Sequence, residues 1–202
     1  MSAFLGPIHI WLFEKIKFQE NLNKHLIEMA KVKGYNKEKL AEVDSVCGVL
    51  EEGELADLID GMNIHGWLQE RISIVERRLA YITKSMIEED QTHFADILEV
   101  AKAIGEEKKP KGLITAKEGY TLLEDLLVSG MPCDRVNMVV ADDGDSLTWE
   151  QTIDIHKQYW DQFDIDVKYY YEIRNAIIEG IFDGSDLSYE KEPANQFTLR
   201  KR

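Results

Sequence analysis

Histidine, tryptophan and glutamate recur in this chain at one fixed spacing. Ile8-His9-Ile10-Trp11-Leu12-Phe13-Glu14-Lys15-Ile16 is answered by Ile64-His65-Gly66-Trp67-Leu68-Gln69-Glu70-Arg71-Ile72, and the register continues with Phe18 against Ile74 and Glu20 against Glu76. Imidazole nitrogens and carboxylate oxygens are the usual ligands of transition metals. On a helix, residues eleven apart share a face, so His9 and Glu20 point the same way. They are still ~16 Å apart along the axis at ~1.5 Å per residue, and one ion cannot take both when its ligands lie ~2 Å away. Any site must therefore draw on both copies. If the two helices run antiparallel, His9 meets Glu76 and Glu20 meets His65. If they run parallel, His9 faces His65 in one layer and Glu20 faces Glu76 in another, where repulsion and burial raise at least one carboxyl pKa. Both histidines fall in the first turn of their helices, where the positive end of the dipole favours neutral imidazole, the metal-binding form.

His156 is the third nitrogen candidate. On a helical reading, Trp149, Ile153, Tyr159, Trp160 and Phe163 lie on its side, a surrounding suited to a haem or another flat molecule. The metal expectation is thus iron or another transition metal, or haem, held by His9, His65 and His156, with Glu20 and Glu76 as ligands or orienters. Trp11, Trp67, Trp149, Tyr159 and Trp160 would line the pocket. Cys133, after Pro132, is a candidate thiol. Two other readings stand beside this one. The motif is equally suited to packing two helices, as in a non-catalytic interaction or oligomerisation protein, and the aromatics near His156 suit a small-molecule sensor. The Glu-x-x-His spacing of di-iron bundles is absent, as are the P-loop, GxGxxG, HExxH and GxSxG motifs.

The elements that must carry these residues read as helices. Gly6-Pro7 opens the first, about 7–33, which has apolar residues on two faces and ends at Gly34. Shorter helical pieces follow Asn36 and Glu54. Asn63 begins the second copy of the motif, with a break expected near 88–91 and a further helix to about 104. Gly105 to Gly112 reads as a loop, and 116–129 as a helix after Thr115. Val136 to Ala141 has extended character, and Asp142-Asp143-Gly144-Asp145 is a turn. Thr148 with Gln151 resembles a capping box opening a helix to about Phe163, and Asp164 caps the last helix. The polar stretch 185–202 reads as a loosely ordered tail. The expectation is an all-α bundle of six to eight helices around a four-helix core, forming one domain over 1–184.

Composition narrows the partners. The chain has 202 residues, 44% hydrophobic, and a net charge of −14, so a core can form, while nucleic acid and anionic membranes are disfavoured. The only basic cluster is Leu199-Arg200-Lys201-Arg202. Cys47 and Cys133 make no disulfide framework. The start at Met1-Ser2-Ala3-Phe4-Leu5 lacks signal-peptide features, so a soluble cytoplasmic protein, as monomer or homo-oligomer, is expected.

Leu5-Gly6-Pro7-Ile8-His9-x-Trp11-Leu12, together with Trp149, His156, Tyr159 and Trp160, resembles an uncharacterised family of helical proteins from anaerobic bacteria. That resemblance implies a helical fold and carries no assigned activity. In general architecture, a bundle with inward histidines is similar to haemerythrin-like and DinB-like proteins.

Overall fold

A computed structural model describes residues 5–112, 114–192 and 195–202. The chain is mixed rather than all-α, because a four-stranded antiparallel sheet packs beside the helices. The elements in order are α1 (Pro7–Lys33), α2 (Lys37–Ala41), α3 (Val43–Cys47), α4 (Leu55–Leu58), α5 (Ile64–Glu89), α6 (His93–Glu106), α7 (Ala116–Leu126), β1 (Asn137–Asp142), β2 (Ser146–Gln151), α8 (Lys157–Trp160), α9 (Lys168–Phe182), β3 (Leu187–Glu192) and β4 (Gln196–Lys201).

The long helices α1, α5, α6 and α9 form the helical layer. α1 and α5 run parallel: His9 meets His65, Phe13 packs on Trp67, and Gln19 reaches Glu76. The segment with α2, α3 and α4 returns the chain so that α5 can start beside the start of α1. α6 and α9 are also parallel, as the steps Phe94–Tyr169, Gly105–Ile177 and Lys109–Asp183 indicate. Their backbones touch through glycine. A Cβ on Gly105 would lie 2.1 Å from the Ile177 carbonyl oxygen, and one on Gly180 would lie 2.1 Å from that of Lys102. Gly105, expected to begin a loop, is inside the last turn of α6.

The sheet has the order β1-β2-β4-β3. Of the stretch from Thr148 to Phe163, expected to be one helix, Thr148–Gln151 belongs to β2, where Leu147, Trp149 and Gln151 are buried in alternation, and α-helix is confined to α8. A period of two places every second side chain on one face, and this outweighed the local capping pattern. The stretch expected as a loose tail supplies β3 and β4, with Leu187, Phe197 and Leu199 in the core. Trp149 is the centre of that layer, packed with Tyr120, Phe197 and Tyr189. α7 is capped by Thr115 and Glu118 and presses on the sheet at Gly119, where a Cβ would come 2.8 Å from Leu187. No described helix is long and apolar enough to cross a membrane.

Candidate functional site

The parallel pairing separates the predicted ligands into layers. In the first, His9 Nε2 and His65 Nε2 are 3.4 Å apart. The backbone N–H of Gly6 donates to His9 Nδ1 at 3.0 Å. A neutral ring that accepts at Nδ1 carries its proton on Nε2, so that nitrogen donates to His65 and has no lone pair for a metal. The bond joins the starts of the two helices. Because it lies at the surface, His65→Ala is expected to cost less than about 1 kcal/mol by chemical denaturation.

The second layer is buried and divides again. Glu76 accepts from Gln19 Nε2 and pairs with His156 Nδ1, each at 3.1 Å, and the His156 ring stacks on Tyr170 at 3.7 Å between centroids. Glu20 instead takes Asn23 at 3.0 Å and Arg78 at 3.1 Å. Burial pushes the Glu20 carboxyl above its ordinary value, against the pull of Asn23 and Arg78. His156 precedes α8 and has Tyr159, Trp160 and Tyr170 near it, while Trp149 lies on β2 in the sheet layer. Among the described residues the imidazole is enclosed, only 2% exposed.

The five expected metal ligands are therefore divided among separate clusters rather than brought together. Among the described residues, no group of three or more His, Cys, Asp or Glu side chains could hold a metal ion. Cys133 is exposed beside the hollow that contains His9 and His65, with its Sγ 3.8 Å from Asp134. It has no hydrogen bond to either imidazole among the described residues. Cys47 is buried, and desolvation pushes its thiol up to about 11. Compared with family models, curated proteins and solved structures, the chain matches none of them.

The two copies of the motif differ most at a position the histidines had overshadowed. Each contains a tryptophan followed four residues later by a cation, and in each the cation lies over the indole: Lys15 Nζ 4.2 Å from the Trp11 centroid, Arg71 Cζ 4.0 Å from that of Trp67. Residues four apart on a helix meet in this way. Arg71 is also neutralised, with bonds to Glu51 at 2.5 and 3.2 Å and to Glu70 at 2.6 Å. Lys15 has no such partner among the described residues, and the glutamate equivalent to Glu70, Glu14, is paired with Lys17. Lys15 is nevertheless only 2% exposed.

Lys15 lines a hollow of about 320 Å³. α1 supplies Trp11 and Lys15, α7 supplies Glu124, and the segment from Ser129 to Met138 forms the other wall, with the exposed Arg135 at the rim. The parts are fixed in place. Trp11 Nε1 donates to Asp125 at 2.8 Å, and Asn137 Nδ2 donates to Glu124 at 2.7 Å. Gly130 turns with φ +75°, and a Cβ there would come 2.7 Å from the Asp134 carboxylate, which accepts from the Met131 N–H. Burial lowers the Lys15 pKa to about 8, partly opposed by Glu124 and Asp125 and reinforced by Arg174. Arg174 is itself buried, with its Nε unpartnered among the described residues.

A cavity of about 20 Å³ among Phe18, Gln19, Tyr170 and Arg174 has room for about one water. The Lys15 hollow has the size of a small-molecule site. Lys15 was legible in one respect: by the 100° rule it falls about 40° from Trp11 and about 60° from Phe18, beside the second apolar face of α1. A lysine on an apolar face is the unusual feature there.

Proposed function

We propose that this chain binds a small organic anion, a carboxylate-bearing metabolite, in the hollow between α1, α7 and the Ser129–Arg135 segment. Lys15 forms the floor of the site and Arg135 its rim. The supporting observation is the contrast between equivalent positions. Arg71 is neutralised by two glutamates, whereas Lys15 is buried, unpaired among the described residues and open to a hollow. Burying a charge without a partner is costly, and a negatively charged ligand offsets that cost. Arg174 adds to the positive potential, and its charge already acts on Lys15. Carboxylate and phosphate both suit lysine and arginine; Glu124, held by Asn137, adds an acceptor that suits the hydroxyl groups of a small acid.

The test is thermal stability with succinate or malonate, in the wild type and in Lys15→Met. A dicarboxylate at about 100 times its Kd stabilises the wild type by about 2.7 kcal/mol, and Lys15→Met loses the shift. Without ligand at pH 7, Lys15→Met is expected to be more stable by about 1–2 kcal/mol. A shift of this size in a buried amine corresponds to up to about 3 kcal/mol, and the lost stacking on Trp11 offsets part of the gain. The pH dependence has a definite sign. Below about 8 the amine is protonated in both folded and unfolded chains, and the full cost is present. Between about 8 and 10.5 the unfolded chain binds more protons, so wild-type stability rises relative to Lys15→Met. If Lys15→Met is less stable at pH 7 and no dicarboxylate shifts the wild type, Lys15 is only a brace for Trp11.

A further inference from the structure

We infer that the Lys15 amine is a nucleophile toward carbonyl carbon, and that the ligand class is a 2-oxo acid or aldehydic acid captured as an imine. This deepens the anion-site reading and rests on it. Three observations carry the inference. The amine has no hydrogen bond or ion pair to a described residue, so its lone pair is not engaged once the proton leaves. It is buried on an apolar helix face beside Trp11, and this desolvation, a condition that makes a lysine nucleophilic near neutral pH, outweighs the opposing charges of Glu124 and Asp125. Glu124 lines the same hollow, held by Asn137 with its carboxylate available for proton transfer.

The step balances without an oxidant or reductant. The Nζ lone pair of the neutral amine adds to the carbonyl carbon, and the carbonyl electron pair moves to oxygen, which takes one of the two N–H protons by way of Glu124. The resulting carbinolamine gives an N–H proton to Glu124. Glu124 returns it to the hydroxyl, which leaves as water while the C=N bond forms. Arg135 at the rim holds the acid's carboxylate. The products are an imine at Lys15 and one water.

Incubating the full chain with pyruvate and then with sodium borohydride tests this. Reduction fixes the imine as a secondary amine, raising the mass by that of pyruvic acid less one oxygen. The expected result is one adduct per chain, mapped to the peptide with Lys15 and absent in Lys15→Arg. Labelling should rise through pH 8, since at neutral pH the free-amine fraction of Lys15 exceeds that of an exposed lysine by on the order of 100-fold. Glu124→Gln should lower the labelling rate by a larger factor than it changes the concentration of succinate needed for the thermal shift, which separates proton transfer from binding. If succinate stabilises the wild type but pyruvate leaves Lys15 unlabelled, or labels Lys17 as readily, the imine inference fails and the anion site stands. If neither acid acts on the chain, both fail.

Discussion

Gly105→Ala is expected to destabilise the fold by at least about 3 kcal/mol, the upper end of the usual range for overpacking, and Gly180→Ala by a similar amount. A methyl group at either position would lie 2.1 Å from a backbone carbonyl oxygen of the facing helix. No rotamer change relieves a clash with backbone, so α6 and α9 would have to separate along their shared length. That separation loosens Ile97, Ala101, Ile104, Ile177, Ile178 and Ile181, all buried. Domains of this kind have only about 5–15 kcal/mol in total, so either variant should show a large drop in the urea midpoint. Gly61 is a control, since nothing lies within 4 Å of a Cβ there, and Gly61→Ala should change stability by a few tenths of a kcal/mol. Wild-type-like midpoints for both Gly105→Ala and Gly180→Ala would mean that the two helices are not in backbone contact.

Glu76→Ala is expected to cost about 3–5 kcal/mol, the range for removing one member of a buried pair. Glu76 is fully buried, and its Oε1 serves both His156 and Gln19. Truncation leaves those two groups without a partner in the interior, and each unmade bond carries a desolvation cost. His156→Phe alone strands the Glu76 carboxylate, whereas Glu76→Leu with His156→Phe removes both polar groups. The double variant should therefore be less destabilised than the two single changes predict together, a coupling of 0.5–3 kcal/mol in size by the usual range for residues in contact, roughly. Strict additivity would show that the pair does not act as a unit. The contrast with His65→Ala separates the two layers of the repeat: the inner one stabilises the fold, and the outer one is nearly neutral.

Much of the helical layer was readable from periodicity, and the rest was not for definite physical reasons. Gly34, Asn63 and Thr115 mark helix ends where expected, and the break between α5 and α6 falls at Asp90–Thr92. The extended character of Val136 to Ala141 matches β1, but β2 was misread because Thr148 and Gln151 have the spacing of a capping box, while the alternation of Leu147, Trp149 and Gln151 spans only six residues. β3 and β4 depend on each other and on α7 for burial, so their polar sequences give little local signal. The repeat was legible, but its parallel pairing depends on how the segment after Gly34 returns the chain, which spacing along α1 and α5 does not encode. The meeting of His9 with His65 is one of the two arrangements the repeat allows, whereas Glu20 and Glu76 take separate partners. Those partners were not legible, because Gly6, Arg78 and His156 come from outside the repeated strings. Lys15 was passed over because a lysine aligned with an arginine looks like conservation of charge. What differs between the two is the surroundings.

The side-by-side, same-direction arrangement of α1 and α5 has a consequence for how two like helices can come to differ. Had a half-turn related them, each would see what the other sees, and a feature useful at one would be repeated at its mate, as at isologous contacts between subunits. A sideways shift leaves no such equivalence. One member has α7 and the Ser129–Met138 segment as its outer neighbour, and the other has α3 and Glu51. The same tryptophan and cation therefore met two different walls, and the hollow at Lys15 lies against the first of them.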